Sequence, residues 1–317
     1  MNKIKITVLM PAYNAAAYIA EAIQSVLLQT FRDFELLIIN DGSSDNTVQV
    51  IRSFNDERIV LIQQENLGVA AALNNGLQYA RANYIARFDA DDICFPERLQ
   101  VQYDFITAHP EYIIIGAAAE YIDASGNYIF THHPQGKTDQ QIKQLPYNVC
   151  PFIHASVLYK RESVQRAGYN VHAHSFEDHL LWQQLMQTGK MYNMAEPLLK
   201  VRLNPGSLTM DERKRKKEFQ AIKNKVLRAG TINAVEGEKL LALIRDQDNP
   251  KSKEGAYYSL LAKKFLWNNY DPAKSRSNVK KAITLNDFDA KDYLLWFISF
   301  LPKRMISTLY TIFISPK

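Results

Sequence analysis

Through the first half of the chain, short apolar runs alternate with longer stretches in which apolar residues recur at helical spacing. Lys5 to Met10, Phe34 to Asn40, Ile59 to Gln63 and Tyr84 to Phe88 are near-continuous aliphatic and aromatic runs of strand length. Between them, Tyr18 to Gln29, Thr47 to Phe54 and Val69 to Ala80 read as helices, the first placing Ile19, Ala22, Ile23, Val26 and Leu27 on one face. This βαβα order predicts a parallel sheet covered by helices on both faces. Pro96 is expected to open the next helix within its first turn, where a missing N–H costs nothing. Ile113 to Ala119 then reads as a strand, and Asp123-Ala124-Ser125-Gly126-Asn127 as a turn into Tyr128-Ile129-Phe130, which makes the sheet mixed. From Asp211 onward the pattern is helical almost without break, with cap or turn signals at Asn249-Pro250, Asp271-Pro272 and Leu301-Pro302. The expected boundary falls near residue 210, separating an α/β domain over 1–210 from a helical region over 211–317.

Composition adds constraints on class and compartment. At 317 residues, 47% hydrophobic and 22% charged, the chain has the make-up of a globular protein with one large domain and an appendage. Met1-Asn2-Lys3 leads straight into Ile4 to Met10, an apolar run too short for a signal peptide and without a small-residue cleavage site after it, so a cytoplasmic location is expected. Cys94 and Cys150 form no CxxC pair and no disulfide framework, and both read as packing residues. The net charge of +5 is concentrated in Arg213-Lys214-Arg215-Lys216-Lys217, followed by Lys223, Lys225 and Arg228. Such a run is a solvated helix face or meets anionic groups; with no aromatic residues interleaved as a stacking platform, nucleic acid is not expected as a partner. The aromatic stretch over 293–315 is broken by Pro302-Lys303-Arg304 into pieces of roughly ten residues, short of the twenty or so needed to span a bilayer. Trp296, Phe297, Phe300 and Lys303-Arg304 suit an interfacial helix, and peripheral contact with the inner face of the cell membrane is expected there; a helix packed on the domain or in a dimer interface is the alternative.

In an open parallel sheet, ligands bind outside the carboxyl ends of the strands. The segments there are unusually polar: Pro11-Ala12-Tyr13-Asn14, Asn40-Asp41-Gly42-Ser43-Ser44-Asp45, Glu65-Asn66-Leu67-Gly68 and Arg87-Phe88-Asp89-Ala90-Asp91-Asp92. The last places three carboxylates in four positions. Two unit charges about 4 Å apart repel by roughly 4 kcal/mol at an effective dielectric near 20, so this crowding points to a divalent cation, and hard oxygen ligands suit Mg²⁺ or Mn²⁺. The first turn has no G-x-G-x-x-G and the chain no Walker A sequence, which disfavours a nicotinamide cofactor and a P-loop. Tyr13 is suited to stack on a base and Asp41 to accept from a nucleobase or ribose, so the four loops together favour a nucleotide pocket.

In their order and spacing, these four segments and Phe176-Glu177-Asp178-His179-Leu180-Leu181-Trp182 resemble the inverting family 2 glycosyltransferases of the GT-A fold. The resemblance implies a GT-A nucleotide-diphospho-sugar transferase fold with a mixed, mainly parallel central sheet, followed by the helical C-terminal region. It implies that Asp41 contacts the base of a nucleoside diphosphate sugar, with Pro11, Tyr13 and Asn66 in the same pocket. Asp91 would reach the metal most directly, Asp89 the ribose or the metal's water shell, and Arg87 and Arg202 the diphosphate. Asp178 matches the catalytic base, with Glu177, His154 and Trp182 on the acceptor side. Near Arg202 the chain departs from the family pattern Tyr-Arg-x-His, having Val201 and Asn204 instead. Inversion needs a base to take the acceptor hydroxyl proton and a cation to hold charge on the departing diphosphate, and Asp178 and Asp91 would serve these ends. The implied activity is transfer from a UDP-sugar to a hydroxyl of a glycan or lipid-linked glycan in surface polysaccharide synthesis; the rival is a catalytically silent nucleotide-sugar-binding or scaffold protein.

Overall fold

The computed structural model describes residues 4–206, 215–247, 249–285 and 289–313. The expected boundary near 210, Arg213 and Lys214 of the basic run, and the last two residues of the 293–315 stretch lie outside the described residues.

The βαβα reading corresponds to β1 (Ile6–Ala12), α1 (Ile19–Leu27), β2 (Phe34–Asp41), α2 (Thr47–Arg52), β3 (Ile59–Gln64), α3 (Val69–Tyr79) and β4 (Tyr84–Arg87). These strands form a parallel block in the order β3-β2-β1-β4, with Ile6 opposite both Phe34 and Tyr84. β2 is buried at all eight positions, as a strand covered on both faces must be. On one face, Leu9, Leu37 and Ile39 join Leu73 and Leu77 of α3 in a single apolar cluster, each such buried side chain contributing about 1.5–3 kcal/mol. Gly76 sets how closely α3 approaches, since a Cβ there would lie 2.2 Å from Leu9 Cδ1.

Beyond β4 the sheet turns antiparallel. It continues through β8 (Leu158–Lys160), β6 (Tyr112–Ile122), β9 (Lys190–Arg202) and the two-residue β5 (Ile93–Cys94), with β7 (Tyr128–His132) paired on β6. The mixed sheet expected from the middle of the chain is therefore present. Pro96 lies just ahead of α4 (Arg98–Ala108), in a turn closed by Arg98 N donating to the Phe95 carbonyl at 3.1 Å.

The chain packs as two compact units, one comprising residues 1–119, 132–201 and 220–241 and the other 120–131, 202–219 and 242–317. No single point in the sequence separates them. In the second unit, Ile129 and Phe130 of the hairpin pack with Tyr257, Leu260, Leu261 and Phe265 of the helix Pro250–Trp267. That helix starts where the sequence signals it, with Asn249 Oδ1 accepting from Lys251 N and Ser252 N and Pro250 in the first turn. Among the described residues, no helix is long and apolar enough to cross a membrane.

Candidate active site

The first three strand ends are tied to one another by side chains. Asn14, at φ 47°, donates its backbone N–H to Ser43 Oγ at 3.0 Å and accepts from Ser44 N through Oδ1 at 2.8 Å. Asp45 accepts from Ala16 N at 3.1 Å and Thr47 N at 3.0 Å. Asp41, 4% exposed, accepts from Gln64 Nε2 at 2.8 Å and from the backbone N–H groups of Leu67 and Gly68 at 2.9 Å each. Its carboxylate thus shapes the Glu65–Gly68 loop, a task the sequence did not disclose. Tyr13 is 53% exposed at the end of β1, Asn66 is exposed, and Pro11 is partly buried.

Gly42 has φ +70°, and a Cβ there would meet the Asn66 backbone nitrogen at 2.6 Å. Gly42→Ala combines left-handed strain with a clash against backbone that cannot swing aside, so a loss of about 1–3 kcal/mol is expected in urea unfolding.

At the end of β4, Arg87 is 4% exposed and pairs with Asp89 through Nη1. Burial opposes the guanidinium charge, but the Asp89 carboxylate more than compensates and keeps Arg87 protonated. The strand end is fixed from behind by Arg98, fully buried, whose Nη2 donates to the Arg87 carbonyl at 2.8 Å while Nε donates to Gln102 at 3.1 Å. Asp91 is partly buried and Asp92 is 1% exposed. Three carboxylates follow the strand within four positions, and the donors are hard oxygens. Oxygen donors of this kind suit a divalent cation, and one Asp89 oxygen is already engaged by Arg87.

The second cluster forms where the short 3₁₀ turn His154–Ser156 meets α7 (Glu177–Leu185). Ser175 enters α7 at φ 71°, a left-handed conformation that costs a non-glycine residue on the order of 1–3 kcal/mol and marks a constrained turn. Asp178 Oδ2 lies 4.0 Å from His154 Nδ1 and 4.0 Å from Cys150 Sγ, and the His154, Glu177 and Asp178 donor atoms all lie within 4.8 Å of one another. His154 Nε2 is 3.1 Å from the Tyr169 hydroxyl, which lies 3.5 Å from that of Tyr159. Burial, then the Arg87 charge, holds the His154 imidazole well below its usual 6.5, so it is neutral. Burial likewise pushes both tyrosine hydroxyls up.

Arg87 connects the two clusters. Its charge acts on His154, Tyr159 and Tyr169, and Tyr169 also senses Asp178. Through the Arg87–Asp89 pair, the bond from Arg87 N to the Val157 carbonyl at 3.0 Å and the His154–Asp178 contact at 4.0 Å, the acids that follow β4 and those of α7, distant in sequence, are brought to one region of the fold. Trp182 departs from the expectation: it is fully buried, its ring edge-on to those of Phe152 and His154, so it backs His154 instead of facing an acceptor. Arg202 belongs to the second unit, where Nη1 donates to the Ala124 carbonyl at 3.2 Å. Cys150 packs against the core as expected, its thiol donating to the Phe152 carbonyl at 3.4 Å and lying 4.0 Å from Asp178 Oδ2.

Acidification has a calculable consequence here. Burial, then the Lys223 charge, holds the His179 imidazole down to about 4 against 6.5 in the unfolded chain. The unfolded state then binds the extra proton first, so the stability is full above 6.5 and is lost as pH falls toward 4, by about 2–3 kcal/mol for this residue alone. His154 acts in the same direction. Urea unfolding at pH 7.5 and pH 5 is expected to show a lower midpoint at pH 5, and His179→Phe is expected to shrink the difference.

The family model for glycosyl transferase family 2 matches residues 7–168, about half of the chain. The chain belongs to glycosyl transferase family 2. It is 32% identical over 209 residues to the putative glycosyltransferase EpsE of Bacillus subtilis, covering 62% of this chain and 73% of that protein. It is also 32% identical over 202 residues to the amylovoran biosynthesis glycosyltransferase AmsE of Erwinia amylovora, covering 62% of this chain and 75% of the relative. The match to an uncharacterized glycosyltransferase of Rickettsia conorii, 32% identical, covers 68% of this chain but 35% of that longer protein. Among solved structures, the chain superposes on S. aureus TarS 1-349 in complex with UDP with a TM-score of 0.55 at 15% identity, covering 97% of this chain and 91% of the other. The mannosyltransferase PcManGT of Pyrobaculum calidifontis, in complex with GDP-Man and Mn²⁺, gives 0.53 at 16%, covering 97% and 84%. The GT-A fold expected from the sequence is thus shared. The family match ends at residue 168, short of Asp178.

Proposed function

We propose that this chain is a metal-dependent, inverting glycosyltransferase that moves a sugar from a nucleoside diphosphate sugar, a UDP-sugar first among them, to a hydroxyl of a glycan or lipid-linked glycan. The observation that carries this reading is that Arg87, paired with Asp89 and bonded through its N–H to the Val157 carbonyl at 3.0 Å, brings the carboxylates after β4 and the His154–Asp178 cluster to one region. Tyr13 offers an exposed ring for a base, and Asp41 holds the wall of the same pocket. Asp91 and Asp89 would hold Mn²⁺ or Mg²⁺, which when bound offsets charge on a diphosphate. Arg87 adds a fixed positive charge, and Asp178 takes the acceptor proton. The complexes of TarS with UDP and of PcManGT with GDP-Man and Mn²⁺ support a nucleotide-sugar donor and a divalent cation, and the name of AmsE supports a polysaccharide product. Calorimetric titration of UDP with and without Mn²⁺ tests the reading: metal-dependent binding is expected, and its absence would favour a silent scaffold.

The stretch over 293–315 is assigned the role of a peripheral membrane contact on the cytoplasmic face. Leu294, Phe297, Phe300 and Met305 are 51–63% exposed beside Lys303 and Arg304, the combination an interfacial helix presents. Flotation with anionic liposomes is expected, and a Phe297→Ser, Phe300→Ser double variant is expected to lose most of it; equal flotation of the variant would contradict the assignment.

A further inference from the structure

The cluster behind Asp178 has a composition unlike that of the β4 carboxylates. It combines an imidazole, two carboxylates and a nearby thiol, instead of oxygen ligands alone. The ring nitrogen of His154 that faces the cluster is Nδ1, 4.0 Å from Asp178 Oδ2, while Nε2 is hydrogen-bonded to the buried Tyr169 hydroxyl at 3.1 Å. A metal-ligating histidine is typically held this way, one nitrogen oriented by an oxygen partner and the other presented to the ion. Four-coordinate zinc with bonds of about 2.0 Å sets its donor atoms about 3.3 Å apart, so donors within 4.8 Å of one another close by up to about 1.5 Å on binding. Cys150 Sγ, 4.0 Å from the same Asp178 oxygen, stands outside this donor set and donates to the Phe152 carbonyl at 3.4 Å.

We propose that His154, Glu177 and Asp178 form a second cation site that takes a borderline transition metal of the zinc class and discriminates against Mg²⁺. An imidazole ligand favours Zn²⁺, whereas Mg²⁺ requires near-octahedral oxygen coordination. Occupancy engages Asp178 Oδ2. On the reading of Asp178 as the base, the bound ion therefore blocks transfer; the site itself does not depend on that reading.

The test uses the full chain in excess Mg²⁺, titrated calorimetrically with Zn²⁺ and followed in the visible with Co²⁺ as a spectroscopic substitute. One Zn²⁺ equivalent is expected, with the absorption of four-coordinate Co²⁺. Tyr169→Phe, which removes only the orienting hydroxyl, is expected to weaken Zn²⁺ by about 10–100-fold. His154→Gln should abolish binding, and Asp91→Asn should leave it intact. Absence of Zn²⁺ binding over excess Mg²⁺, or an affinity unchanged by Tyr169→Phe, overturns the site, as does binding lost in Asp91→Asn and kept in His154→Gln. Tyr169→Phe decides the matter if His154→Gln fails to fold. Loss of Mn²⁺-dependent UDP binding in the wild type would instead count against the proposed function and leave this site standing.

Discussion

Asp178→Asn is expected to slow sugar transfer by about 10²–10⁴-fold while leaving Mn²⁺-dependent UDP binding nearly unchanged. The substitution keeps the shape of a side chain only 20% exposed but replaces the basic carboxylate that would take the acceptor proton with a non-basic amide. Its surroundings favour that role. His154 beside it is held neutral and donates no fixed charge, and the first turn of α7 stabilises the carboxylate through the helix dipole. Transfer assays with radiolabelled nucleotide sugars, paired with UDP titration, check both halves of the expectation. A folded Asp178→Asn protein that transfers sugar at the wild-type rate, or that loses UDP, would move the base elsewhere.

The second large effect concerns the opposite side of the reaction. Asp91→Ala is expected to remove the Mn²⁺-dependent part of UDP affinity and to lower transfer by about 10²–10³-fold, the usual loss when a group stabilising developing negative charge is deleted. Asp89→Ala should do less to metal affinity. Asp89 already shares an oxygen with Arg87, and deleting it leaves the buried guanidinium without its principal partner. That loss should appear as lower stability in urea unfolding as well as weaker nucleotide binding. Equal metal affinities in the two variants would argue against the unequal roles given to these two carboxylates.

The parallel half of the sheet was legible because β1, β2 and β4 are near-continuous apolar runs and α1 and α3 repeat at helical spacing, patterns set by burial alone. The antiparallel half was only partly legible. β5 has two residues and β8 three, too short for any periodicity to register. The compact units cut across sequence order because the hairpin residues Ile129 and Phe130 find their apolar partners more than a hundred residues away.

Within the candidate site, the acids at strand ends stood out by position and crowding. The residues that organise them did not. Arg98 reads as an ordinary helix-surface arginine until its guanidinium is seen on the Arg87 carbonyl. Tyr169 and Cys150 carry no local signal at all, since their importance comes from a fold that brings them to His154 and Asp178. Trp182 was misjudged for a related reason: an aromatic four residues after Asp178 in a helix can face outward or inward, and only the packing of Phe152, His154 and Tyr159 around it decides.

Anomalous diffraction at the manganese edge, from crystals of the full chain grown with Mn²⁺ and UDP, addresses the convergence of the two acidic segments most directly. A single strong peak against the Asp91 carboxylate is expected, with the diphosphate between it and Arg87 and the Asp178 carboxylate facing the position of the missing sugar. A peak remote from Asp91, or a nucleotide bound on a face that Asp178 does not reach, would contradict the account.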